Sequence, residues 1–412
     1  MENFHYILEK ENLTRESKII ENILKDNHPI TNLNNKKGLL FSNAILTKFI
    51  ENEAKHSSHN LTKKEKRSIR TFSSGEQKKA LLKYLLQQNP DFIILESPFE
   101  SLDKNSVKEL KEKLINLSKE ITLIQIISRK EEILPVITHY FDIENDNINT
   151  IIPINNYSFT EDVFTFNFNI PKPITFYKNI PNQLISLQNV NVSYDENHIL
   201  NNINWTISKN EFWQLIGPNG SGKSTILSMI YGNNIKAFGQ EVYLFGKKKG
   251  SGESIWEIKE KIGYFNPSML ELFKRNTTVK EMVISGFFDS IGLYKTPSIL
   301  KEKLAIEWLK LLDLESESKE LFQNLSNVNQ RLVLIARAMI KHPPLLILDE
   351  PLINLDDKST AIIIALINKI NQESNTAIIF VSHKSIKNLQ PNSIYKLIPS
   401  QKGSIGKIIK SN

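Results

Sequence analysis

Gly217-Pro218-Asn219-Gly220-Ser221-Gly222-Lys223-Ser224-Thr225 has the form GxxxxGK[ST]. Its glycines leave room for successive backbone N–H groups to converge on phosphate oxygens. Glu211-Phe212-Trp213-Gln214-Leu215-Ile216 reads as a strand feeding the loop, and Ile226-Leu227-Ser228-Met229-Ile230 has the apolar character of a helix leaving it. That order points loop N–H groups and a helix N-terminus at an anion. Lys223 is expected to reach the β- and γ-phosphates and Ser224 to ligate magnesium. Two more apolar strands carry the remaining chemistry. Leu345-Leu346-Ile347-Leu348 delivers Asp349, suited to hold Mg2+ through water, and Glu350, placed to polarise an attacking water. Ala377-Ile378-Ile379-Phe380-Val381-Ser382 delivers His383. Following the loop and the Asp-Glu pair, this histidine reads as a γ-phosphate sensor. The fold class is α/β, a P-loop nucleoside-triphosphatase.

The same pattern occurs twice, once in damaged form. Residues 72–103 align without a gap to 325–356, and nine positions are identical, among them Ser73, Gln77, Pro98, Leu102 and Asp103. Each copy has a signature-like turn, a helix, an apolar strand, a proline and a Leu-Asp pair. The chain therefore reads as a tandem duplication with the first copy truncated. Only 71 residues precede the first turn, and Gly38 is the only glycine among them. One glycine cannot build a phosphate cradle, so the stretch that should carry the loop is expected to be absent. Where the second copy has Asp349-Glu350 and His383, the first has Glu96-Ser97 and Arg129. The expected domains are 1–144, truncated and degenerate; 145–184, an extended connector with Pro153, Pro171, Pro173 and Pro181; and 185–412, with the phosphate loop.

Composition adds limits. The chain has 412 residues, 40% hydrophobic and 24% charged, ordinary for a globular core. There are 52 basic and 45 acidic side chains, a mild excess that singles out no acidic partner. Without cysteine, neither disulfides nor thiolate metal sites are available. No apolar run is long enough to span a bilayer. The expected location is the cytoplasm, with peripheral attachment at the inner face of a membrane only through another subunit. The basic residues Lys63, Lys64, Lys66, Arg67 and Arg70 read as a solvated helix face, and Lys247-Lys248-Lys249 as a charged hairpin tip. Neither has the interleaved aromatics of a single-strand nucleic-acid surface.

These pieces in this order resemble the ATP-binding-cassette (ABC) ATPases over nearly the whole chain. Gly217–Thr225 is similar to their Walker A motif, Asp349-Glu350 to Walker B with its catalytic glutamate, and His383 to the switch histidine. Leu102-Asp103 and Leu355-Asp356 are similar to D-loops, and Tyr194 to the adenine-stacking aromatic. The resemblance implies a P-loop core, an antiparallel β-subdomain and a helical subdomain carrying the signature. It also implies that one domain's signature covers nucleotide held by the other. Ser73-Ser74-Gly75-Glu76-Gln77 matches that signature. Ser326-Asn327-Val328-Asn329-Gln330 has lost both glycines. One surviving site is therefore expected, joining the second copy's Walker motifs to the first copy's signature by pairing of the two halves within the chain. The usual glutamine after Ile262-Gly263-Tyr264-Phe265 falls on Pro267, leaving Asn266 and Ser268 as substitutes. Thr278–Tyr294 is similar to the tandem cassettes named for molybdenum transport or photorepair, the ModF and PhrA type.

The reading is an ATPase that drives a partner, either a separate membrane permease or a soluble protein. Its alternative is an ATP-controlled binding module with negligible turnover.

Overall fold

The computed structural model describes residues 4–9, 18–56, 61, 68–100, 102, 104–144, 147–157, 164–272, 276–290, 293 and 296–410. The chain divides into two units. One comprises Met1–Asp162 with the short segment Asn354–Asp357, the other Val163–Ile353 with Lys358–Asn412.

The first unit is built on strands β1 (Tyr6–Glu9), β2 (Gly38–Phe41), β3 (Phe92–Glu96), β4 (Thr122–Ile127), β5 (His139–Glu144) and β6 (Asn147–Pro153). Helices α1 (Ile19–Leu24), α2 (Asn43–His56), α3 (Ser74–Leu86) and α4 (Lys104–Leu117) connect them. The sheet order is β2-β3-β4-β1-β5-β6, parallel except for the final antiparallel pair. Side chains alternate across it, as a strand's period of two requires. Ile7, Ile93, Leu95 and Leu123 enter one apolar cluster, while Tyr6, Leu8, Phe92, Ile94 and Ile124 enter another. Both faces are covered, which is why these strands read as unbroken apolar runs.

The second unit has β7 (Gln183–Tyr194), β8 (Asn197–Ser208), β9 (Phe212–Ile216), β10 (Glu241–Leu244), β11 (Lys247–Lys248), β12 (Ile262–Phe265), β13 (Leu345–Asp349), β14 (Ala377–Ser382), β15 (Ser393–Ile398) and β16 (Ile405–Lys410). Its helices are α5 (Lys223–Ile230), α6 (Ile255–Glu260), α7 (Met269–Leu272), α8 (Val279–Ser285), α9 (Ile299–Leu311), α10 (Asn327–Met339) and α11 (Asp357–Glu373). Strands β11-β10-β7-β8 form an antiparallel sheet, and β12-β13-β14-β9-β15-β16 form a mostly parallel one. Trp205 of β8 stacks on Tyr395 of β15 at 4.5 Å within a core shared by both sheets.

Strand for strand, the two six-stranded sheets have the same order, and each ends in an antiparallel edge. Smaller features recur at matching positions. Gln77 Nε2 donates to Ile69 O, and Gln330 Nε2 to Phe322 O. Lys78 Nζ donates to Pro98 O, and Arg331 Nη1 to Pro351 O. Asn89 and His342, then Ser97 and Glu350, all adopt positive φ.

Three expectations need correction. The front of the first copy is not missing its core strand, because β1 lies between β4 and β5, where β9 lies in the second sheet. Among the described residues, the four-stranded antiparallel sheet belongs to the second unit alone, with all its strands between residues 183 and 248. The connector expected at 145–184 is partly ordered sheet: Asn147–Pro153 pairs with β5, and the units divide between Asp162 and Val163. Pro153 is tolerated because it ends an edge strand. Finally, the tip of the β10–β11 hairpin is Phe245-Gly246, both at positive φ. Lys247, Lys248 and Lys249 follow it and pair with Glu257, Glu241 and Glu253.

Candidate functional site

β9 ends at Ile216, and α5 opens at Lys223, with Gly222 as its N-cap. Gly220 and Gly222 have φ of 74° and 89°, the left-handed region that favours glycine. A Cβ on Gly222 would also lie 2.5 Å from Leu200 Cδ2, so the wall behind the loop admits no side chain there. Gly217 is buried, Pro218 and Asn219 are exposed, and Ser224 and Thr225 lie on the first turn of α5. Ser221 is 1% exposed, and its Oγ has no hydrogen-bond partner. A buried, unpartnered hydroxyl within a phosphate-binding loop fits a phosphate oxygen as its missing partner.

Three candidate catalytic side chains meet at the mouth of the loop. Lys223 Nζ donates to Gly217 O at 2.8 Å and Pro218 O at 3.2 Å, and lies 3.3 Å from His383 Nδ1 and 3.9 Å from Glu350 Oε1. His383 Nε2 lies 3.1 Å from Glu350 Oε2. With Lys223 as donor to Nδ1, the neutral ring carries its proton on Nε2 and donates to Glu350. Burial pushes the Lys223 ammonium below its ordinary value, and Glu350 and Asp349 oppose that shift. Glu350 has φ 51°, and its N–H donates to Val381 O at 3.1 Å. A left-handed non-glycine residue costs on the order of 1–3 kcal/mol and is concentrated at functional turns.

Asp349 closes β13, a strand buried throughout. Its Oδ2 accepts from Asn266 Nδ2 at 2.9 Å and from Tyr264 OH at 3.4 Å. Asn266 Oδ1 in turn accepts from Ser268 N and Oγ, at 2.8 and 2.7 Å. Of the two substitutes for the missing glutamine, Asn266 therefore touches the carboxylate, and Ser268 orients Asn266. Burial first, then the neighbouring Glu350, raises the Asp349 carboxyl above its usual range. Two carboxylates close enough that Glu350 raises the proton affinity of Asp349 fit a hard divalent cation, which binds oxygen and relieves the repulsion.

The raised Asp349 value also fixes the sign of a stability effect. The folded state holds the proton more tightly than the unfolded chain, so this residue's contribution becomes unfavourable as pH rises through its folded pKa. Asp349→Asn keeps an acceptor for Asn266 and Tyr264 while removing the buried charge. It is expected to raise Tm at pH 8 by more than at pH 4, while weakening Mg2+-dependent nucleotide binding. Thermal melts at the two pH values check this, and an unchanged Tm difference would count against it.

Tyr194 ends β7 with its ring 41% exposed. Its hydroxyl accepts from Asn234 Nδ2 at 3.2 Å, and Lys236 Nζ sits 5.5 Å from the ring centre. Anchored at its hydroxyl and partly exposed, with Lys236 over one face, the ring is a candidate for a base to stack on.

The signature residues lie in the first unit. Ser73 caps α3 in a reciprocal box with Glu76, whose backbone N–H donates to Ser73 Oγ while its carboxylate accepts from Ser73 N. Ser74 and Glu76 are exposed, whereas Gly75 and Gln77 face the protein. A Cβ on Gly75 would come 2.5 Å from Ser106 Oγ of α4. Gly75 thus has a packing reason to be glycine besides any role toward phosphate. Asp356 lies in the segment grouped with the first unit. Asp103, and the basic residues Lys63, Lys64, Lys66 and Arg67, lie outside the described residues.

The family model "ABC transporter" matches residues 200–353, from β8 past Glu350. The chain is 36% identical over 331 residues to the ABC transporter ATP-binding protein ModF of Escherichia coli, covering 77% of this chain and 67% of that protein. It is 30% identical over 333 residues to an uncharacterized ABC transporter ATP-binding protein of Schizosaccharomyces pombe, covering 77% and 66%. Among solved structures, cbiO1 of Clostridium perfringens, part of the cbiONQ transporter complex, aligns with a TM-score of 0.48 and 24% identity over 56% of this chain and 89% of that one. Among the described residues no helix is long and apolar enough to cross a membrane. The chain belongs to the ATP-binding-cassette ATPases.

Proposed function

We propose that the chain hydrolyses ATP at one composite site, formed by the second copy's Walker motifs and the first copy's signature. The observation that carries this reading is the complementary survival of parts. The second unit holds the phosphate loop, Asp349, Glu350 and His383 but a signature without glycine. The first unit has the glycine signature but Glu96, Ser97 and Arg129 at the matching positions. The shared strand order, and the turns repeated at Ser97 and Glu350, support descent of both units from one domain.

Each residue then has a stated task. Loop N–H groups, Ser221 and Lys223 bind phosphate oxygens, and Tyr194 stacks on the adenine. Ser224 and Asp349 would hold Mg2+, which supplies charge neutralisation to the phosphates when bound. Glu350 accepts a proton from the attacking water, and His383 senses the γ-phosphate. Asn266 fixes the Asp349 carboxylate from the side where the family has glutamine. The signature N–H groups at the start of α3 add electrostatic stabilisation to the developing charge. Because its E. coli relative is an ABC transporter ATP-binding protein, we place the chain among transport-associated ATPases, driving a separate permease or a soluble partner.

Dilution tests the composite site. A site made within one chain gives a rate of phosphate release per chain that stays constant from micromolar to nanomolar protein. A rate per chain that falls on dilution would mean that two chains build the site. Binding of ATP without repeated phosphate release would favour the regulatory alternative. Affinity capture from the host with Glu350→Gln and Lys223→Ala baits then separates a permease partner from a soluble one.

A further inference from the structure

We infer that Gln214 is a positioning residue for His383. The inference rests on the proposed role of His383 toward the γ-phosphate. Gln214 lies in the middle of β9, a strand otherwise made of Phe212, Trp213, Leu215 and Ile216, and is 1% exposed. A buried amide in such a strand must find partners or lose its hydration uncompensated. Both its N–H groups are used. Nε2 donates to Ser382 Oγ at 2.9 Å and to Lys384 O at 3.2 Å. Ser382 Oγ itself donates to Lys384 O at 2.7 Å, closing a small triangle.

The two residues held in this way are the neighbours of His383 on either side. β14 ends at Ser382, whose ladder partner is Ile216, so the sheet no longer fixes the backbone at His383. Gln214 reaches along the strand beyond the end of the ladder and ties down both flanks of the histidine. The imidazole then faces Glu350 and Lys223 from a backbone with little freedom. Among the described residues, the Gln214 side chain hydrogen-bonds to Ser382 and Lys384 and to neither of those side chains, so its effect must pass through His383.

A double-mutant cycle distinguishes positioning from a general structural role. Gln214→Met keeps length and apolar burial but removes both donors, and Ser382 Oγ retains Lys384 O as acceptor. Expected is a fall in kcat of about tenfold, the scale of a small misplacement. Tm and affinity for trinitrophenyl-ATP stay near wild type. In the His383→Ala background the same change has no further effect on turnover. The imidazole nitrogen signals assigned to His383 by comparison with His383→Ala shift in Gln214→Met. Ser382→Ala, which removes one partner of the amide, gives a smaller loss of the same kind and serves if Gln214→Met folds poorly. Wild-type kcat in Gln214→Met, or an equal fractional loss with and without His383, overturns the inference. Wild-type turnover in His383→Ala would instead remove the proposed role of the histidine, and the inference with it.

Discussion

Replacing Glu350 by Gln is expected to lower phosphate release by roughly 10²–10⁴-fold, the usual contribution of a positioned general base, with ATP binding retained. The amide is nearly isosteric, can accept from His383 Nε2 as the carboxylate does, and leaves the left-handed turn at residue 350 in place. What it cannot do is accept a proton from water. The loss belongs to the chemical step, so kcat and kcat/KM should fall together while binding is preserved. Single-turnover phosphate release and equilibrium nucleotide binding on the same preparation check both parts. Residual turnover above a tenth of wild type would assign the base to another residue.

Ser74→Glu is expected to be as damaging, although Ser74 lies in a unit without a phosphate loop. Glutamate in the first helical turn agrees with the α3 macrodipole, and Ser74 is exposed, so folding should tolerate it. If the signature faces phosphate, the new carboxylate meets like charge at the point of closure, and turnover falls at least 100-fold. Tm then changes little. This substitution is cleaner than Gly75→Asp, which would also push against Ser106 of α4 and mix packing with electrostatics. Normal turnover in Ser74→Glu would exclude the first unit from the site.

The parts of the site that could be read in advance share one property: residue type and spacing are both demanded by local chemistry. Gly220 and Gly222 are needed for φ, Lys223 for charge, and Asp349 and Glu350 come at the end of a run of four apolar residues. Elements without such chemistry were harder to read. β1 is only Tyr6–Glu9, and no glycine loop follows it to mark it as the counterpart of β9. Its place is set by pairing with β4 and β5 across more than a hundred residues, which spacing does not reveal. β6 was obscured by Asn and Pro residues that suit an edge as well as a connector. Asn266 was visible only as one of two substitutes, and the choice needed the 2.9 Å contact with Asp349. Gln214 gave one faint signal, a polar residue inside an apolar strand, and its partners lie about 170 residues away.

The turn that carries Glu350 has a consequence beyond hydrolysis. In both units the residue after the left-handed position is a proline whose carbonyl accepts from the cation just past the signature, Lys78 for Pro98 and Arg331 for Pro351. Ser97 keeps the contorted backbone with no carboxylate to present. The bend therefore persists where there is no carboxylate for it to present. It joins the head of one helix to the tip of one strand in both units. In either unit one hydrogen bond ties that helix to the strand tip. In the second unit alone, that bend carries a carboxylate, Glu350.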